Sequence, residues 1–407
     1  MKKILIALLA LAATTANAQQ FMRIWSGGTQ TQVMLPNAGE MPVKNGSSIT
    51  IAGNTYQFAA IDSITFGARV KVDYSGTSAK VEIPKMARGV TSQVNGADVV
   101  ITNTNAQEEL EFILSGASQN GSFTYNGTYK TTIILNGLNL KSGTTAALNI
   151  LCGKRIDLIM TDGTDNMLED CAGGQQKAAL YCKGHLELAG AGNLTVKGNS
   201  AHGIGTKEYF IVKRSVKSLK VTGATKDAMH IGQYYEQRGG DVTITGNAGD
   251  ALQVEACADD AGVWDPTKEF NGQCFIKGGS LTAAATKDDT HVLKVDGDIT
   301  ISGGTISFNA TGAGSRCIDA NANMTINEDD TKTSITLAAS GNKYDDGSGD
   351  TSRSRLGKID KDLRMTAGTV KGTVSGKAKG FKIDGKFYKL GGTFNADYEA
   401  AGGVVTK

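Results

Sequence analysis

The chain has 407 residues, a formal net charge of +2 and 20% charged residues. Charge this close to balance, evenly mixed along the sequence, offers no basic face for nucleic acid. Fifty-two glycines, four prolines and few aromatic residues suit many short strands joined by tight turns, and the length accommodates one large array plus a small extra unit.

Residues 1–18 read as a secretory signal. Lys2 and Lys3 form the charged end, 4–13 the apolar run, and Ala16, Asn17 and Ala18 an A-x-A cleavage site. The apolar run is too short to span a bilayer, no cysteine stands directly after the cleavage site, and no later stretch is apolar enough for a membrane helix. The sequence thus predicts a soluble, exported protein, periplasmic, cell-surface or secreted, without a membrane span.

Residues 19–68 predict a small β-rich module with strand-like runs at 21–25, 48–52 and 61–66 between Gly/Asn turns. So small a unit has little core of its own and is expected to dock on its neighbour. Trp25 is read as a core residue of this module ahead of a sugar-stacking platform. Beyond it, 70–74 and 79–83 alternate like a hairpin, and 99–101, 110–114, 131–135 and 148–150 predict further strands. They suit the first coils of an array and the cap that covers its end.

From Gly203 to Ala396 one pattern recurs. Its outward position falls on Gly205, His230, Gln253, Lys294, Asp319, Lys358 and Lys382, at spacings of 25, 23, 41, 25, 39 and 24. The two long intervals read as one repeat plus an insertion, at 256–273 and 341–355. A period in the twenties signals a solenoid, and the inward/outward alternation of each copy is that of strands. The leucine-rich signature is missing, so a parallel β-helix over 69–400 is predicted, each coil stacking on the next. Met229, Leu252, Leu293, Ile318 and Phe381 share one inward column. Ile231, Val254, Val295, Ala320, Ile359 and Ile383 share the next. A second register runs through Leu194, Leu219, Val242, Leu281, Ile306, Ile335, Val370 and Phe394.

The six cysteines permit disulfides in an exported protein. Cys257 and Cys274 flank the first insertion, where a bridge would close the loop at its base. Cys152 and Cys182 sit about one coil apart, as a bridge or as core thiols. No Cys/His spacing resembles a zinc site.

Lys287, Asp288 and Asp289, followed by the run 296–306 (DGDITISGGTI), resemble the repeating pattern of bacterial carbohydrate-binding β-helix proteins. Residues 137–140, 153–156, 183–186 and 207–209 agree, and the likeness covers roughly 70–390. It implies a right-handed parallel β-helix related in fold to the family 9 polysaccharide lyases. It also implies bound calcium and binding of plant-type polysaccharides such as cellulose or pectin. The family's Asp-Asp-Gly becomes Asp288, Asp289 and Thr290 here, with two extra residues before Leu293.

Stacking turns a sequence period into a lateral row. Asp227, Asp250 and the pair Asp288/Asp289 fall along one edge, with adjacent coils ~4.8 Å apart. They are expected to converge on calcium, which takes oxygen donors. Like charges at strand spacing otherwise repel. The alternative is that they bond turn amides. Residues 344–350, also acidic, read as a solvated loop that could bind calcium weakly.

The outward column His230, Gln253, Lys294 and Asp319 suits an extended polymer, or simply a solvated sheet face. Tyr234 and Tyr235, placed in a turn, and Trp264, in an insertion, are the candidate stacking aromatics. For Tyr209 and Phe210 packing is favoured. A lyase would need a base, and Lys294 or Lys226 beside an aspartate has the ingredients. Lysines near carboxylates stay charged, however. The sequence therefore favours a non-catalytic polysaccharide-binding protein. A calcium-dependent pectate-type lyase, and a surface adhesin or structural spacer, are the alternatives.

Overall fold

The computed structural model describes residues 20–258, 262, 264–349 and 351–407. The signal segment 1–18, and Asp350 of the second insertion, lie outside them. Among the described residues the chain is all-β, as expected: one 3-10 turn at Leu35–Asn37 interrupts a succession of short strands.

The periodic residues pair in the order the spacing predicts. Thirteen strands form one sheet, running from Val90–Asn95 to Tyr398–Ala400. From Ala97–Asn103 onward every neighbour in it is parallel and belongs to the next copy of the repeat. Gly205, His230, Gln253, Lys294, Asp319, Lys358 and Lys382 are successive partners along it. The second register pairs with equal regularity, from Leu194 on Leu219 through to Val370 on Phe394. All eight of its side chains are buried.

Each repeat therefore sets its inward residues on those of the repeat before. Fully burying one Leu, Ile or Phe is worth about 1.5–3 kcal/mol, and the columns merge into one core from Ala68 to Phe394. The first column holds one exception, Gly357, between Ile318 and Phe381. A Cβ there would stand 2.5 Å from the Phe381 ring. Phe381 thus fills two storeys of the column, and the glycine makes the room.

The N-terminal strands have a core of their own, formed by Met22, Ile24, Val33, Leu35, Ile49 and Ile51. Strand Gln20–Ser26 pairs antiparallel with Thr29–Met34 and with Ile61–Ser75. The far half of Ile61–Ser75 then pairs in parallel with Glu111–Ser118. Residue 68 thus lies inside a strand shared by both regions. Arg23 and Arg69 also close on the buried Glu111 carboxylate, at 3.2 and 2.7 Å. The hairpin at Ser78–Glu82 and the antiparallel strand Val90–Asn95 cover the first edges of the two sheets, the protection an edge strand requires.

The pairing of Gly357 with Phe381 is testable by denaturant unfolding. Gly357→Val should destabilise by about 1–3 kcal/mol through overpacking, and Phe381→Ala by about 3–5 kcal/mol through the cavity left. In the double variant the valine occupies part of that cavity, so its loss should fall short of the sum by about 1 kcal/mol or more.

Candidate functional site

The outward row of the thirteen-stranded sheet is longer than the repeat read from Gly203. Thr124, Asn149 and Tyr181 precede Gly205 in the same row, and Glu399 follows Lys382. Alternation puts these side chains on the face opposite the core. At Gly205 the row has no side chain. A Cβ there would lie 3.1 Å from that of Ala178 and 3.9 Å from the Tyr181 ring edge. Gly205 is itself buried, with the Ala178 methyl crowding the place of its side chain, and the half-buried Tyr181 lies beside it. Tyr181 and Gly205 line a groove of about 720 Å³, walled also by 175–177 and by the base of the first insertion, 256–258. Lys177, Lys207 and Lys226 line it, each without an ion-pair partner among the described residues, with Glu255 as the one carboxylate.

Beside the row runs a charged ladder. Asp227 Oδ2 lies 3.0 Å from His230 Nδ1 and 3.4 Å from His202 Nδ1, and His230 Nε2 lies 3.3 Å from Glu255. The two imidazoles stack at 4.5 Å. Asp250 lies 3.0 Å from His291 Nδ1 and 3.7 Å from Lys294. His291 Nε2 is 3.3 Å from Asp319, which also accepts from Arg316 at 2.7 Å. Hydrogen bonds to Asp227 and Glu255 outweigh burial at His230 and raise its pKa to about 9. Burial, reinforced by the neighbouring His230 charge, lowers that of His202. Burial pushes the Asp227 carboxyl up, but its bonds to His230 and to the Asp250 amide, with the histidine charges, bring it below the usual range.

The first insertion is docked over this region. Lys268 and His185 hold the Glu208 carboxylate at 2.5 and 2.7 Å. Gln233 donates to the Glu269 carbonyl at 2.9 Å, and the Cys257 thiol faces the Lys207 carbonyl. Burial alone would raise the Glu208 pKa. The bonds and charges of His185 and Lys268 reverse that and hold it at about 2.

A model of the family described as "Carbohydrate-binding domain-containing protein" matches residues 95–400. The chain belongs to this family. A relative of the same description, from Acetivibrio thermocellus, is 27% identical over 124 residues, covering 25% of this chain and 40% of that protein. The chain thus matches less than half of that relative's length. A solved structure titled as the polysaccharide lyase-like protein from C. thermocellum, a gadolinium derivative, aligns with a TM-score of 0.50 and 20% identity. The alignment covers 64% of this chain and 97% of that one. At that identity the likeness concerns the fold alone.

Within this family member the predicted site residues divide. His230, Gln253, Lys294 and Asp319 are neighbours in one row, although Asp319 is buried against Arg316. Asp227 and Asp250 adjoin, but each already serves the next coil: Asp227 accepts the Asp250 amide at 2.9 Å and Asp250 the His291 amide at 2.7 Å. Asp288 and Asp289 are not gathered with them. They occupy an exposed turn where Asp288 accepts the Ala313 amide and Asp289 the Ser352 hydroxyl. Among the described residues, the metal-capable trio that does converge is His202, Asp227 and His230. Lys226 lines the groove.

Three aromatic expectations are corrected. Tyr235 is fully buried, its hydroxyl on Gln237 at 3.2 Å. Tyr234 lies in strand Tyr234–Gln237 rather than in a turn, and it belongs to the other sheet. There it stacks on Tyr209, which stacks on His185, with Phe270 and Phe275 edge-on. Trp25 is not core. It is 39% exposed and lines a separate groove with Gln30, Tyr129 and Arg155. Trp264, 61% exposed, stays a surface residue of the insertion. All six cysteines are free thiols. Cys274 is buried in the core and Cys257 bonds elsewhere, so the loop-closing bridge is absent. Cys152 and Cys182 are core thiols, and burial pushes Cys182 up to about 12.

The Glu208 tether carries a pH signature. A carboxylate held below its unfolded value of about 4.5 contributes stability that is full above that pH. The contribution is lost as pH falls through the folded value of about 2. Limited proteolysis within 256–273 should therefore quicken as pH drops below 4.5. Glu208→Gln should reproduce that nicking at neutral pH with the core melting transition changed by about 1–2 kcal/mol at most.

Proposed function

We propose that this protein is an exported, non-catalytic polysaccharide-binding protein whose coils wind as a right-handed parallel β-helix, and that the polymer lies along the outward row between Tyr181 and Lys294. The observation that carries the reading is the half-buried Tyr181 ring lining the groove beside Gly205. A half-buried aromatic ring lining a groove suits the apolar face of a sugar ring, and the row continues in hydrogen-bonding side chains. Strand spacing of ~4.8 Å is close to the rise of one ring along an extended β-linked chain, so successive coils meet successive sugars.

Charge favours an acidic, uronate-bearing glycan. Lys177, Lys207 and Lys226 lack partners among the described residues and face the groove. Glu255 is drawn to His230. Within this reading calcium bridges uronate carboxylates to the exposed Asp288–Asp289 turn. It does not sit inside the ladder, where Asp227 and Asp250 lie against histidines, whereas the exposed Asp288 and Asp289 carboxylates bond only one amide and one hydroxyl. Lys294 lies 3.7 Å from Asp250, so its ammonium group is turned toward the chain's own ladder.

The test is retention on insoluble and acidic polysaccharides, with calcium and with chelator, while unsaturated uronate products are followed by ultraviolet absorbance. The reading expects retention without products, and at least tenfold weaker binding in Tyr181→Ala, about 1.4 kcal/mol. Product formation would make the protein a lyase. Full retention by Tyr181→Ala would move the glycan off this row. No retention on any glycan would leave the adhesin or spacer reading.

A further inference from the structure

Two of the chain's four histidines, His202 and His230, meet Asp227 from adjacent coils, and we infer that this trio is a binding site for a borderline transition-metal dication such as Zn2+. The three ligand atoms lie within 4.8 Å of one another. The Asp–His separations of 3.0 and 3.4 Å match the edges of a tetrahedron, which are ~3.4 Å when metal–ligand bonds are about 2.0–2.1 Å. The imidazoles stack 4.5 Å apart, so a metal at the centre requires the two rings to turn toward a common point.

Two independent features point the same way. His202 Nδ1 is buried and makes no hydrogen bond among the described residues, although it faces Asp227. An orphaned imidazole nitrogen aimed at a carboxylate is a donor lacking an acceptor of its lone pair. His230 presents Nδ1 to Asp227 while its other nitrogen is held by Glu255 at 3.3 Å. That is the outer-shell carboxylate that fixes a metal-binding imidazole and raises its basicity. Asp227 is itself fixed, because its second oxygen accepts the Asp250 amide.

The donor set decides the metal class. Two imidazoles and one carboxylate suit zinc, copper or nickel, whereas calcium takes six to eight oxygens. Three protein ligands leave a fourth position, the arrangement of an open zinc site. His202 and His230 both line the groove beside Gly205, so that position faces the groove. The metal takes the place of the proton shared between His230 and Asp227. The inference stands apart from the glycan reading, because it concerns the metal alone.

Tag-free protein, stripped with chelator, is titrated with Zn2+ by calorimetry, with Ca2+ as the comparison. One Zn2+ per chain is expected, with no competition from Ca2+. His202→Ala and His230→Ala should each weaken binding at least tenfold, and Glu255→Gln about 10–100-fold. His185→Ala, at a histidine outside the trio, should leave it unchanged. Circular dichroism checks that each variant is folded. The intact protein loaded with Co2+ gives a readout that needs no variant: four-coordinate nitrogen/oxygen ligation absorbs intensely in the visible. A pale six-coordinate spectrum, zinc binding unaffected by His202→Ala and His230→Ala, or no zinc bound by the intact protein would each overturn the inference.

Discussion

Parallel register is the constraint on which the rest depends. Because each strand of the long sheet pairs with the strand one repeat later, residues about 25 positions apart in sequence stand one storey apart in space. The inward columns then bury themselves against like columns. The outward row becomes a line of side chains no helix or hairpin could align over such a length. A one-residue slip would exchange the two sets, so the buried columns also fix what the surface presents.

That alignment has an electrostatic consequence. Stacking places Asp227 and Asp250 one above the other, and unpaired like charges at that spacing are destabilising. The chain resolves this internally. Histidines at 202, 230 and 291, with Lys294 and Arg316, alternate with the carboxylates. Spare carboxylate oxygens accept backbone amides from the next coil. The charged ladder is thus part of the stacking as much as a surface for ligands. Calcium is not required to balance the two aspartates within it.

Both registers were legible in the sequence because strand length and period were regular enough to align Gly205 through Lys382 by spacing alone. What escaped has identifiable causes. The pattern is regular only from Gly203, which leaves Tyr181, one repeat earlier, outside the row that spacing aligns. Tyr234 and Tyr235 resemble turn residues in sequence because the chain does turn just before them, at Gln233 with φ +56°. The strand then sends one ring out and its neighbour in. Trp25 alternates with Ile24 in a strand whose other face is the module's core, and a bulky aromatic in a short run carries no sign of which face it takes. At Asp288–Asp289 the two extra residues shift the turn, with Asp289 at φ +52°, and its carboxylates bond the next coil. The His202–Asp227–His230 trio has no local motif at all. Its members are 25 and 3 residues apart, and only the register brings them together.

The claim that the outward row is the glycan face is tested most directly by hydroxyl-radical footprinting of the protein with and without a bound acidic polysaccharide, read residue by residue in a mass spectrometer. Protection centred on Tyr181 and His230, with Tyr234, Phe270, Trp25 and Tyr129 oxidised as before, is the predicted result. Protection of the Tyr209–Tyr234–Phe270 strip or of the Trp25–Tyr129 groove, with Tyr181 and His230 unchanged, would contradict it.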